Sequence, residues 1–198
     1  MRIEFGVEVN PKFMRSRLHE FDVAVVAAGA RIDMGAYAHV EGRERLVDAL
    51  DVASGRIRPG KRVVVIGGGK IGLVLAESLA KLGAQLTVVE TEKRIAGDVM
   101  PTFKWRHTAW VEELGISVRT CARLLRVTEE GVVVVDTKGE ETAIAADTVI
   151  AASPRRSNQE LFADFEWMVD ELHGCGDALM PRGIDAAIHE GYRLGCRV

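Results

Sequence analysis

The chain predicts an α/β fold, a Rossmann-like parallel sheet with an antiparallel β-meander, flanked by remnants of a second Rossmann-like domain. Three observations carry this expectation. An unbroken aliphatic run, residues 63–66, leads directly into the glycine turn Gly67-Gly68-Gly69-Lys70-Ile71-Gly72. A second, largely apolar strand-like run, residues 85–90, closes on an acid, Glu90. Between and beyond them strand-like and helix-like periodicities alternate, and then three short strand-like segments follow one another, separated by charged glycine turns.

Taken in order, residues 3–9 read as an extended start and residues 23–28 as a fully buried strand ending at Gly29. Residues 62–66 form the strand before the glycine turn, and residues 71–82 the helix after it, stopped by Gly83. The strand at 85–90 precedes a helix that begins near Pro101 and stops at Gly115. Phe103, His107, Trp110, Val111 and Leu114 share one face of that helix, which assigns Trp110 to the core, whereas Trp105 points elsewhere, toward a cleft or the surface. After a strand at 116–119, segments 124–128, 132–136 and 142–145 read as the meander, and 148–152 returns to the sheet. Residues 167–172 look strand-like, followed by Gly174-Cys175-Gly176-Asp177 and a closing helix over about 181–194. The expected organisation is therefore a nucleotide-binding domain at 61–152, interrupting a partial second domain made of 1–60 and 153–198.

The glycine turn carries the chemistry. Gly67 suits a tight turn, Gly69 leaves space for a pyrophosphate to approach the backbone, and Gly72 lets the helix pack close to the strand. The unpaired amides of the helix start, beginning at Lys70 and Ile71, favour an anion, and a carboxylate such as Glu90 can accept both hydroxyls of an adenosine ribose. The plainer reading, glycines that merely close a βα turn, does not account for strand, turn, helix, second strand and acid arriving in that order. An ATPase-type phosphate loop is disfavoured, because Ile71 stands where a Ser or Thr would hold magnesium. Lys70 is read as a solvated residue at the helix start.

Composition narrows the alternatives. A formal charge of −3 gives no electrostatic footprint for nucleic acid or an anionic membrane. Cys121, Cys175 and Cys196 lie far apart, which argues against a zinc site, a dithiol centre or a secreted disulfide framework. The five histidines, His19, His39, His107, His173 and His189, lack ligand spacing, so no metal is expected. Residues 1–18 lack the apolar stretch of a signal peptide, and the apolar runs are strand-sized. A cytoplasmic protein is expected.

Several segments together resemble the C-terminal nucleotide-binding portion of the 2,4-dienoyl-CoA reductase and trimethylamine dehydrogenase group, multidomain relatives of old yellow enzyme. They are residues 21–29, Ala49-Leu50-Asp51-Val52, the 61–72 fingerprint, residues 146–150, Gly176-Asp177 with Pro181-Arg182, and residues 187–191. The resemblance covers nearly the whole chain. It implies an inserted NAD(P)H-binding domain within an FAD-type domain, with FMN and an iron-sulfur cluster in a partner domain. It further implies that Gly29, Gly176 and Asp177 face FAD, Asp177 through the ribityl chain; the residue alone equally suits the start of the turn into the last helix. The family's own FAD fingerprint does not occur in this chain, so FAD is expected only with a further N-terminal part, and the sequence is expected to start partway through that domain. Ser153 stands where the family keeps a glycine, and Ser153-Pro154-Arg155-Arg156 is expected either to narrow the nicotinamide side or to change how tightly it binds.

The function so implied is an electron-transfer module passing hydride from NADH or NADPH to a flavin in a partner domain or subunit. The alternative is a non-catalytic module holding ADP within an amine-dehydrogenase-like flavoprotein. No residue is expected to act as a catalytic acid or base, since hydride transfer to flavin is cofactor chemistry. Unpaired strand edges in the partial domain would favour a partner chain or a homodimer.

Overall fold

The computed structural model describes residues 2–198. The chain divides into two compact units, residues 32–155 and residues up to Arg31 together with 156–198.

The central unit is built on a five-stranded sheet. Its strands are β3 (Leu46–Asp48), β4 (Arg62–Ile66), β5 (Gln85–Val89), β6 (Ser117–Arg119) and β10 (Thr148–Ala151), in the spatial order β3-β10-β4-β5-β6. Every pairing is parallel. Central parallel strands are covered on both faces, which is why β4 and β10 read as nearly continuous aliphatic runs. Val63, Val64, Val65, Val88, Val89, Ile150 and Ala151 are all at most 1 % exposed. Helix α2 (Ala49–Ala53) follows β3, with Asp48 accepting from the Leu50 amide at its start. Helix α3 (Lys70–Lys81) follows β4 and buries Leu73, Leu75, Ala76 and Leu79. It ends where Gly83 adopts φ +91°, which frees the chain to turn into β5. At the start of the sheet, Asp147 accepts from the amides of Lys61 and Arg62 and from the Arg62 guanidinium, fastening β10 to β4.

Helix α4 (Pro101–Glu113) begins with proline at its first position, as the sequence suggests. Its buried residues are His107 and Val111, and His107 Nδ1 lies 2.7 Å from Glu77 Oε1 of α3 in a pair buried from solvent. Phe103 departs from the expected face. It is 59 % exposed, because burial is confined to the second half of the helix and the first turn stands in solvent. Trp110 is only half-buried, with Lys81 and Arg106 over its ring, and Trp105 lies on the surface.

The meander is as expected: β7 (Ala122–Val127), β8 (Gly131–Asp136) and β9 (Glu141–Ala145) pair antiparallel, with a bulge between Leu124 and Arg126. Gly131 is needed at its position, since a Cβ there would fall 2.1 Å from the Ile144 carbonyl oxygen.

The second unit contains α1 (Pro11–Arg17), β1 (Val23–Val26), α5 (Glu160–Phe165), β12 (Glu171–Gly174) and α6 (Ile184–Gly195). Strands β1 and β12 pair in parallel over a small core of Met14, Val26 and Phe165. Strands β2 (Ala30–Ile32) and β11 (Arg155–Ser157) lie where the chain passes from one unit to the other.

Several expectations need correction here. Residues 3–9 form no strand and are exposed. The strand expected at 23–28 is shorter, and only Val26 is buried, because one neighbouring strand does not cover both its faces. Residues 167–170 turn instead of extending; Trp167 is 91 % exposed and the strand begins at Glu171. The last helix starts at Ile184, with Gly183 as its N-cap, so Pro181 precedes it. Residues 32–60, expected with the flanks, pack with the central unit, where β3 adds an edge to its sheet.

Candidate dinucleotide site

The site lies at the C-terminal ends of β4, β5 and β10. The chain leaves β4 through Gly67 at φ +110°, a conformation other residues rarely adopt. A Cβ on Gly72 would lie 1.9 Å from the Gly67 carbonyl oxygen, so this glycine lets the first turn of α3 press against the end of the strand. The Gly67 and Gly72 requirements read from the sequence are therefore physical ones. Gly69 is the N-cap of α3 and provides no side-chain cap. Lys70 is the first helical residue, exposed as expected, and Ile71 is half-buried behind it.

Glu90 follows β5 and turns back toward the glycines. Its Oε2 accepts from the Gly68 amide at 2.7 Å, and its Oε1 accepts from the Glu92 amide at 2.9 Å and the Thr91 hydroxyl at 3.0 Å. Turn and acid are thus brought into direct contact. Beside them opens a cleft of about 370 Å³ whose walls include Tyr37, Val40, Gly67, Glu90, Arg123 and Ser153. Tyr37 is buried and donates to the Ser153 carbonyl oxygen. Burial, with Asp33 and Glu90 nearby, pushes its phenol up to about 12. Ser153 does crowd the turn, since a Cβ on Gly67 would lie 2.6 Å from its Cβ.

Two features escaped the sequence reading. Asp98 accepts from the Lys70 amide at 2.7 Å, and it sits in an irregular stretch with no periodicity to mark it. Tyr37 lies far from the fingerprint in a short 3-10 turn. A larger groove of about 480 Å³ runs between α2 and α3, but Val52, Ile71, Val74, Leu75 and Leu79 give it an aliphatic lining unsuited to phosphate.

Gly29, Gly176 and Asp177 belong to the other unit. Gly29 has φ +71° with open space around it, and Gly176 has φ +63° and donates to Glu190 Oε2 at 2.8 Å. Asp177 Oδ1 accepts from the Arg182 amide at 2.8 Å, so its side chain shapes the turn into α6.

Comparison with known proteins accords with this geometry. Residues 8–174 match the family described as pyridine nucleotide-disulphide oxidoreductase. The metal reductase of Desulforamulus reducens is 26 % identical over 223 residues, covering 97 % of this chain and 33 % of the relative. The cinnamate reductase of Clostridium sporogenes is 27 % identical over 198 residues, covering 96 % of this chain and 29 % of the relative. In structure, a 2-naphthoyl-CoA reductase complex superposes with a TM-score of 0.89 at 26 % identity, over 96 % of this chain and 29 % of that one. The chain therefore spans about a third of the length of these relatives, and its likeness to the FAD/NAD-binding portion of the dienoyl-CoA reductase and trimethylamine dehydrogenase group extends over almost all its residues. This chain belongs to the pyridine nucleotide-disulphide oxidoreductase family.

Proposed function

We propose that the central unit binds NADH or NADPH and that the hydride passes to a flavin held in another domain or subunit of a larger protein. The observation that supports this reading is the contact between the Gly67–Gly72 turn and Glu90, which brings together the two features that a pyrophosphate and an adenosine ribose require. The second glycine puts no side chain of its own in front of the helix start, and the group resting there is the exposed Asp98 carboxylate, which a phosphate would have to displace. Bound nicotinamide supplies the hydride; the chain's part is to hold and orient it. In this reading the α3 amides face the phosphates, Glu90 takes the ribose hydroxyls, and Ser153 bounds the nicotinamide side. No residue is assigned a proton transfer.

NADH is the preferred coenzyme on this reading, since Glu90 would repel a 2′-phosphate, although Lys93 and Arg94 follow closely in the exposed loop. On this reading residues 61–152 carry the nucleotide-binding domain, with residues 32–60 packed against it, and the flanks contribute the flavin-type part. Gly29, Gly176 and Asp177 contact FAD only when that part is completed by other segments of the larger protein, with FMN and an iron-sulfur cluster in a partner domain. Ile184, Ile188 and Tyr192 line α6 at 71 %, 66 % and 72 % exposure, an apolar stripe suited to such a partner or to a second copy.

The test is a titration of the purified chain with NADH, followed by nicotinamide fluorescence. Saturable binding is expected, and Gly69→Val should abolish it by filling the phosphate space; equal affinity of variant and parent would remove the turn from the argument. A second reading is a structural module that holds ADP, which carries the same pyrophosphate and would likewise have to displace the carboxylates on the Gly68 and Lys70 amides. ADP binding without NADH binding in the same titration would favour it.

A further inference from the structure

Helix α3 opens on a glycine and so lacks a cap from its own N-cap residue, yet its first amide is not left to solvent. Asp98, 28 residues along the chain, places Oδ1 2.7 Å from the Lys70 nitrogen. A Cβ built on Gly69 would lie 3.0 Å from both Asp98 carboxylate oxygens. The carboxylate therefore rests across the open face of the second glycine, in the space that this glycine leaves for a pyrophosphate. An internal anion occupies the place of the external one.

The loop that carries Asp98 is firmly held while the side chain itself is not buried. The Ala96 amide donates to the Gly68 carbonyl at 2.7 Å, and the Val99 amide to the Ala96 carbonyl at 3.2 Å. Ala96 and Val99 are both buried, at 0 % and 7 % exposure, whereas Asp98 between them is exposed. Rotation of the Asp98 side chain can thus vacate the helix start while the loop stays docked.

Resting on the nucleotide-binding reading above, we propose that Asp98 is a built-in competitor for the pyrophosphate position and sets the affinity and selectivity of the site. Its carboxylate must leave the Lys70 amide before a phosphate oxygen can take that donor, and its charge opposes the phosphates until it does. A simple anion gains little by displacing it. A dinucleotide that also engages Glu90 through ribose hydroxyls has a second anchor with which to offset the exchange.

The experiment titrates the full chain with NADH and, separately, with inorganic pyrophosphate, comparing the parent with Asp98→Ala and Asp98→Asn at low and high salt. Asp98→Ala should tighten NADH binding by about fivefold or more at low salt, with the gap narrowing as salt screens the charge. Asp98→Asn, whose amide oxygen can still accept from Lys70 but carries no charge, should show a smaller gain and keeps the helix capped, so the test survives if the alanine variant folds poorly. Pyrophosphate should bind measurably better to Asp98→Ala than to the parent. NADH binding that is unchanged or weaker in both folded variants would overturn the proposal, leaving Asp98 a structural cap and the nucleotide site intact. Folded parent and variants that all fail to bind NADH would instead overturn the nucleotide-binding reading, and this inference with it.

Discussion

Substituting Gly72 by alanine tests the packing on which the Gly67–Gly72 turn depends. The new Cβ would lie 1.9 Å from the Gly67 carbonyl oxygen, 3.1 Å from its carbonyl carbon and 3.3 Å from Val65 Cγ1. A carbon and a carbonyl oxygen come no closer than about 3.3 Å even in favourable contacts, so helix or strand end must shift by more than about 1 Å. Both are backbone and neither is free: Gly67 donates to the Val89 carbonyl and Leu73 to the Gly69 carbonyl, while Val65 and Leu73 are fully buried. Overpacking of this kind costs about 1–3 kcal/mol, which at a urea dependence of about 2 kcal/mol per molar lowers the midpoint by roughly 0.5–1.5 M. Gly97→Ala is the control, for a Cβ there meets nothing within 4 Å and the loop belongs to the same unit. Its effect should stay within about 0.5 kcal/mol. Trp110, half-buried on α4, reports the unfolding of this unit, whereas Trp167 at 91 % exposure contributes little signal. If the two alanine variants unfold at the same urea concentration, the close approach of α3 to β4 is not what fixes glycine at position 72.

Glu77→Ala should destabilise the central unit by about 1–3 kcal/mol in urea, because it leaves the buried His107 Nδ1 without its partner, and Glu77→Gln should recover most of the loss; equal effects of the two would refute a hydrogen-bonding role. The Arg62 side chain and the two backbone amides hold the Asp147 carboxyl below the ordinary aspartate value of 3.8. That stabilisation is present above the unfolded value and lost as pH falls through the lower folded one, so the urea midpoint of Asp147→Asn should fall less steeply below about pH 4 than that of the parent. Tyr37→Phe should cost about 0.5–1.5 kcal/mol through the lost bond to Ser153. It should also remove from the ultraviolet titration a phenol component ionising at about 12; loss of a component near the ordinary 10 would contradict the burial of Tyr37.

What the sequence revealed was what local pattern can encode. Residues 62–90 announce strand, turn, helix and strand because a doubly covered strand must be aliphatic throughout, and because glycine alone tolerates the φ of Gly67 and the contact at Gly72. The meander was equally plain, its turns falling on Gly131 and Gly139. Strand β3 was not visible, since its three residues gain their identity from β10, about a hundred positions later. Residues 3–9 and 167–170 carry apolar and aromatic side chains that suit a strand, but Phe5 and Trp167 stand 88 % and 91 % exposed. In the site, turn and acid were legible because each follows its strand. The Asp98 contact was not, because it depends on how a loop without periodicity folds back over the glycines.

Glu90 has more than one employment, and this bears on any attempt to re-engineer coenzyme choice. Its amide donates to the Arg119 carbonyl, its carbonyl receives the Ala122 amide, and its carboxylate binds Gly68, Thr91 and Glu92. Edges of the sheet, the start of the meander and the glycine turn therefore converge on one residue. On the proposed coenzyme reading, exchanging that acid for a smaller or basic residue to admit a 2′-phosphate would free the Gly68 amide and slacken the following loop. A successful switch of cofactor should consequently require second-site changes among residues 91–99 that restore those lost bonds, and variants selected for the new coenzyme should carry them.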